Sequence, residues 1–499
     1  MADAEAAGPQ KQEPTTTMTA IPIAIYWSIA LWGLASRRPV LLYLFFATLP
    51  FGSLAVVPPA LTAGLTFVPT PMTGLLLILK TFVDGQRLLI GIGSALDVRR
   101  LGLLFAFWIV AVIATVFMPR LFEGVMIIPV RGDVSGAGPL MPTTQNFSQL
   151  AYITISILMV FAFAQLLKTR AMRQSILHAL VLAAAITIAT GLLDYASQFV
   201  PLSPLLEPFR TATYTLLTEA EVLGGKRVVG LMPEASSFGS LCLSLLCILY
   251  FLRRGILDDR MRDLYLPPLL LGLFGFSWLS TSSATYVGLA LFLGMAALEW
   301  IVRFFETRFS SLRRRHLGLE FALVVAAVGG VLLVVLFKPS LIDAFYATID
   351  RLVLTKTGTS SYEERNMWTA VSLEALVQTY GIGVGLGGTR ASNSVVATVS
   401  NVGVVGAIFY FGFIIQCLLR RASAADTEGR VLISGLRFAF VPPFVVGLLI
   451  GTTADFGALG AFRYGLFTAI GLGGLYSALQ TTSIQRITPS DPVSAWRNV

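Results

Sequence analysis

The sequence is short of charge, histidine and cysteine. Asp, Glu, Lys and Arg together make up 13% of it, about half of the ~25% usual in a soluble globular protein. A soluble enzyme of this length is therefore excluded. Of the two histidines, His178 falls in an apolar run and reads as a core residue, and His316 adjoins a basic block. The three cysteines, Cys242, Cys247 and Cys417, all lie in apolar runs. There they read as small hydrophobes, not as disulfides or ligands. No Asp-x-Asp, Cys-x-x-Cys or His-Glu-x-x-His occurs, so neither a metal nor another cofactor is implied. Gly-x-Ser-x-Gly is also missing, and with it any nucleophilic triad. There is no repeat of 20–50 residues and nothing like the inverted halves of many transporters.

Apolar runs fill the space that charge leaves. Hydrophobic residues make up 55% of the chain, and its mean hydropathy is +0.77. Runs of roughly 18 or more apolar residues are candidate membrane helices. They fall at about 20–36, 39–57, 64–82, 101–118, 148–168, 173–195, 235–253, 262–280, 281–303, 316–338, 396–419, 432–453 and 460–480. The expectation is an all-α, polytopic helical integral membrane protein with about 12–14 transmembrane segments. Its parts are a polar N-terminal tail (1–19), one membrane domain (20–483) and a C-terminal tail (484–499). The tail before Ala20 lacks the basic-then-apolar layout of a cleavable leader.

The net charge of +9 would point to nucleic acid in a soluble protein. Here Lys and Arg gather in short loops: Lys168–Arg173, Arg253–Arg262, Arg303–Arg315 and Arg420–Arg437. That pattern orients a membrane protein and contacts anionic lipid, so nucleic acid is set aside. If these loops are cytoplasmic, the segments at about 119–147, 196–234 and 338–395 are external, and the N-terminus is too.

Polar chemistry concentrates in those external segments. The second ends Lys226-Arg227-Val228-Val229-Gly230-Leu231-Met232-Pro233-Glu234-Ala235-Ser236 and runs into an apolar helix. Pro233 suits the first helical turn, and Glu234 and Ser236 the positive helix end. Arg227 and Glu234 form either an ion pair that pins the loop or an anion site with a general base. Ser280-Thr281-Ser282-Ser283-Ala284-Thr285 is either a tight turn whose hydroxyls satisfy backbone or the lining of a sugar or phosphate site.

In the third segment, Ser360-x-x-Glu363 and Ser361-x-x-Glu364 fit a capping box. A helix too polar to span should run from there to Tyr380, amphipathic against the membrane domain. Gly381 ends it. Gly383, Gly385 and Gly387 then expose backbone N–H groups in a nest-like anion cradle. No Lys-Ser/Thr follows, so this is not a Walker loop. Arg365 and Arg390 flank the unit, with Arg351 and Lys356 upstream. Arginine forks match phosphate oxygens in pairs. Asn401 and the small residues Gly403 and Gly406 read as helix-packing positions.

The order of these motifs resembles the O-antigen polymerase and ligase superfamily, the Wzy-type polysaccharide polymerases of bacteria. The matching residues are Arg227 to Ser236 entering a helix, the 280–285 turn, Ser361 to Arg365, Gly383 to Arg390, and Asn401 to Gly406. The resemblance covers about residues 190–410. It implies a metal-independent glycosyltransferase of the bacterial inner membrane. Such an enzyme moves glycan from a polyprenyl-pyrophosphate carrier to a lipid-linked repeat unit at the outer face. Arg227, Arg365 and Arg390 would engage pyrophosphate, with Lys226, Ser361 and Asn393 beside them. Membrane lipids, a chain-length regulator and a flippase are the implied partners. Ligases similar to this family carry a His-Asn pair after the glycine loop; here Ser392-Asn393 stands there. The base would then be Glu234, with Glu363 or Glu364 behind it. The alternatives are a ligase using another acceptor and a flippase or other transporter. A transporter calls for charge at the bilayer midplane, where these spans read as nearly uncharged.

Overall fold

An apolar run in lipid must satisfy its own backbone groups, and helices do so within one segment. The computed structural model describes residues 16–58, 66–130, 136–222, 225–305 and 360–471, with the single positions 61 and 318. Its helices are α1 (Thr16–Ala35), α2 (Val40–Ala47), α3 (Pro69–Phe82), α4 (Gly85–Leu96), α5 (Leu103–Leu121), α6 (Thr144–Leu166), α7 (Arg170–Ala196) and the single turn α8 (Ser203–Leu206). There follow α9 (Ala235–Leu252), α10 (Leu266–Leu279), α11 (Ser283–Phe305), α12 (Ser360–Gln378), α13 (Ser394–Leu419) and α14 (Thr427–Ile450). The last, α15, covers 457–471. Two short antiparallel hairpins pair Met126–Ile127 with Gly138–Pro139 and Glu221–Val222 with Gly225–Lys226.

The chain is an all-α polytopic membrane protein. Among the described residues, seven helices are long and apolar enough to cross a membrane: α5 with the turn before it, α6, α7, α9, α11, α13 and α14. Other expected spans are shorter. The run at 39–57 yields only the eight-residue α2, and 64–82 yields the 14-residue α3. Helix α4 was not expected; Asp84 starts it by accepting from the Gln86 N–H. The run at 316–338, Arg351, Lys356, His316 and the 484–499 tail lie outside the described residues. Helix α9 is the central span, with 72% of its apolar window buried against 28% for α11. Where α2, α6 and α15 meet, Phe45, Phe46, Phe163 and Phe462 pack edge to face.

The loops sort to two ends. At one end lie Lys168–Arg173, Arg253–Arg262 and Arg420–Arg437, joined by contacts such as Arg173–Asp426 at 2.8 Å and Gln174 Nε2 to the Gly255 carbonyl at 2.7 Å. These arginines do more than orient the chain. Arg173 is buried in its ion pair, and Arg253, Arg254 and Arg303 converge on Glu299. At the opposite end, Asp194 fixes the 196–234 loop. Its fully buried carboxylate pairs with Arg210 at 3.0 Å and accepts the Val229 and Gly230 N–H groups at 2.7 and 3.0 Å.

Candidate active site at one end of the bundle

Arg227 stands at that opposite end because the anchored loop delivers it to the turn between α10 and α11. Thr281 makes this turn with a positive φ of 47°. Arg227 Nε donates to the Ser280 carbonyl (3.2 Å) and Thr281 Oγ1 (3.0 Å), and Nη2 to the Thr281 carbonyl (3.2 Å). The hydroxyl-rich stretch is thus a tight turn, and the same residues also face a cavity. Arg227 and Glu234 form no ion pair. Glu234 is the N-cap residue of α9, and Pro233 precedes the helix instead of opening it. The Glu234 carboxylate accepts the Ser236 and Ser237 hydroxyls.

Arg390 arrives by a different route. Helix α12 is described from Ser360 and ends in a turn with positive φ at Tyr380 and Gly381. The following glycines do not form an anion cradle. The Gly383 and Gly385 N–H groups point into the protein: Gly383 donates to Thr379 Oγ1 (3.2 Å) and Gly385 to the Asn401 carbonyl (2.8 Å). A Cβ would meet Gly403 N at 2.6 Å from Gly383, the Ala114 carbonyl at 2.9 Å from Gly385, and the Gln145 carbonyl at 2.7 Å from Gly387. All three have φ between 73° and 89°. The glycines allow a left-handed, close-packed crossing that other residues would strain. Asn401 clips this loop from α13: Nδ2 donates to the Thr389 carbonyl (3.0 Å) and Oδ1 accepts the Thr389 N–H (3.3 Å). Gly403, with φ of 73°, breaks α13 where the loop crosses it.

So held, the Arg390 guanidinium lies over the Trp368 ring, 3.5 Å from its centroid. Its Nε has no hydrogen-bond partner among the described residues. Burial lowers its pKa, Glu364 opposes that, and Arg365 adds to it. Burial likewise lowers Arg227, against Glu234 and Tyr286. Arginine stays charged throughout. Arg365 is half-buried and has no ion-pair partner among the described residues.

These groups share one cavity of about 750 Å³, lined by Arg227, Glu234, Arg365, Trp368 and Arg390 with a rim of serines and threonines. Its charged lining sums to three arginines less one glutamate, or +2. Two expected residues stand elsewhere. Lys226 pairs with Glu219 at 3.1 Å and lies 3.8 Å from Asp194. Asn393 caps α13 by accepting the Val395 and Val396 N–H groups; its neighbour Ser392 lines the cavity instead. The Ser361 side chain lies outside the described residues. Glu363 is exposed and does not line the cavity.

Sequence reasoning missed Trp368, although it lies one helical turn from Arg365 and so on the same face. It also missed Asp194, Asp455 and Arg463. The last is a charge inside α15, where the spans had read as nearly uncharged. Comparison with protein-family models finds no match, and the search of curated proteins finds no significant relative.

Proposed function

We propose that this protein is a polysaccharide polymerase of the bacterial inner membrane. It transfers glycan from a polyprenyl-pyrophosphate carrier to a lipid-linked repeat unit at the outer face. The observation that carries this reading is the gathering of Arg227, Arg365 and Arg390, from two distant stretches of chain, with Glu234 around one cavity. A net positive, partly desolvated site at the end of a helix bundle suits a membrane-tethered pyrophosphate.

In the reaction, an acceptor sugar hydroxyl attacks the anomeric carbon of the donor. The bond from that carbon to the pyrophosphate oxygen breaks, and the pyrophosphate leaves with the electron pair. The arginines stabilise the charge that develops on it. Glu234 takes the proton of the attacking hydroxyl, and its bonds from Ser236 and Ser237 hold the carboxylate in place. The polyprenyl tail stays in lipid. The chain-length regulator and flippase implied by the resemblance would act on the same substrate before or during transfer.

The test is genetic and chemical. Arg365→Ala and Arg390→Ala should each abolish long polymer while single repeat units remain on the lipid carrier. Unchanged polymer length in both variants would refute the arginine site.

A further inference from the structure

A second cavity, of about 220 Å³, adjoins the first. The two share Pro443, Gly447, Gly451 and Thr452 at the end of α14. Its only charged lining residues are Asp455, in the link between α14 and α15, and Arg463, two turns into α15. One positive and one negative charge give a net of zero, against +2 next door. A polyanion therefore belongs in the first cavity and not in the second.

Neither charge has a counter-charge in an ion pair among the described residues, although Asp455 takes hydrogen bonds from Ser156 and the Gly457 and Phe456 backbone. Among the described residues Arg463 makes no ion pair; its Nε donates to the Leu459 carbonyl at 3.2 Å, and the group lies 6.0 Å from the Phe440 ring. Asp455 accepts the Gly457 N–H at 3.1 Å and makes no ion pair either. A charge set inside a helix bundle and aimed at a cavity is costly unless something polar meets it there. The other walls combine aromatic rings with the hydroxyls of Ser394, Thr398, Thr452 and Thr453. Phe440 stacks with Phe444 at 4.8 Å, Phe456 packs edge-on to Tyr464 at 5.1 Å, and Tyr410 lies beside Phe456.

Flat apolar rings, a few hydroxyls, one carboxylate acceptor and one forked donor, with no net charge, describe a site for a ring that is apolar on its faces and hydroxylated at its edge. The volume is below the roughly 300 Å³ at which drug-sized sites begin, so it fits one ring and not a chain. We propose that this cavity is a pyranose subsite. It takes one sugar ring of the lipid-linked substrate, with Asp455 accepting from its hydroxyls and Arg463 donating to them. The subsite rests on the glycosyl-transfer reading, since the adjoining cavity would hold the pyrophosphate. Gly447 forms the doorway between them: a side chain added there would meet no atom within 4 Å, so it would grow into the shared space.

The experiment uses the full-length protein in lipid nanodiscs and two probes. One is farnesyl pyrophosphate. The other is a panel of methyl pyranosides of glucose, galactose, mannose and N-acetylglucosamine, followed by saturation-transfer NMR. At least one pyranoside should bind the wild type. Asp455→Asn and Arg463→Gln should each weaken it about tenfold, the loss of one charge-assisted hydrogen bond, while farnesyl pyrophosphate affinity stays within about twofold. Gly447→Leu touches neither charge and should also exclude the pyranoside. Retained farnesyl pyrophosphate binding certifies that the Asp455 and Arg463 variants are folded; for Gly447→Leu, whose position also lines the first cavity, an unchanged unfolding temperature does so. The proposal is overturned if no pyranoside binds, or if binding survives all three changes. If farnesyl pyrophosphate still depends on Arg365 and Arg390 in that case, the transfer reading stands without this subsite. If the arginine variants bind farnesyl pyrophosphate as the wild type does, the transfer reading falls instead.

Discussion

The Arg390 guanidinium lies over the Trp368 indole, 3.5 Å from the ring centroid, with no ion pair among the described residues and Glu364 acting on it only through space. The ring contact holds the fork in place without a direct ion pair and leaves its charge for a ligand. A cation–π contact at a partly desolvated site contributes about 1 kcal/mol. Trp368→Ala should therefore weaken farnesyl pyrophosphate binding roughly fivefold to tenfold, and Trp368→Phe should recover part of that. Equal affinities for all three proteins would show that the stack does not position Arg390.

Arg227 is held differently, by three bonds to the α10–α11 turn. A lysine keeps the charge but cannot reproduce that fork. Arg227→Lys should lower transfer about tenfold or more with little change in thermal unfolding. A loss of transfer that tracked loss of folded protein would make the contact merely structural.

The glycine loop yields a prediction opposite to that of an anion cradle. Gly385→Ala puts a Cβ against the Ala114 carbonyl at a φ of 85°. It should cost on the order of 1–3 kcal/mol or more of stability and lower the unfolding temperature. Farnesyl pyrophosphate affinity per folded molecule should not change. A stable variant with weakened affinity would restore the cradle.

Burial raises the Asp455 pKa, against bonds from Ser156 and the Gly457 and Phe456 backbone. An acceptor carboxylate must be ionised, so pyranoside binding should fall as the pH drops through that raised value. The fall should come at a higher pH than for an ordinary aspartate. Asp455→Asn should be weak at every pH. A wild-type profile flat across the mildly acidic range would remove Asp455 from the subsite.

Much of this was legible in the chain. Long apolar runs predict spans because lipid offers the backbone no other partner, and α6, α7, α9, α11, α13 and α14 follow them. The polar run after Ser360 could not be a span, and α12 is indeed a separate helix that is not among the long apolar ones. What the sequence concealed was direction. Glycines at 383 and 385 carry the same letters whether their N–H groups face a ligand or Thr379 and Asn401. Asp194 and Arg210 are sixteen residues apart, and only the folded loop pairs them. Arg463 sits in an apolar run whose average hides one charge. Asp455 reads as a loop residue until α14 and α15 close around it.

The most direct measurement is chain length in a reconstituted reaction. Purified protein in liposomes would be given lipid-linked repeat units, and the products separated by size. The wild type should build long polymer on the carrier. Arg365→Ala and Arg390→Ala should leave single repeat units, with folded protein at wild-type levels. Long polymer from both variants, or none from the wild type, would contradict the account.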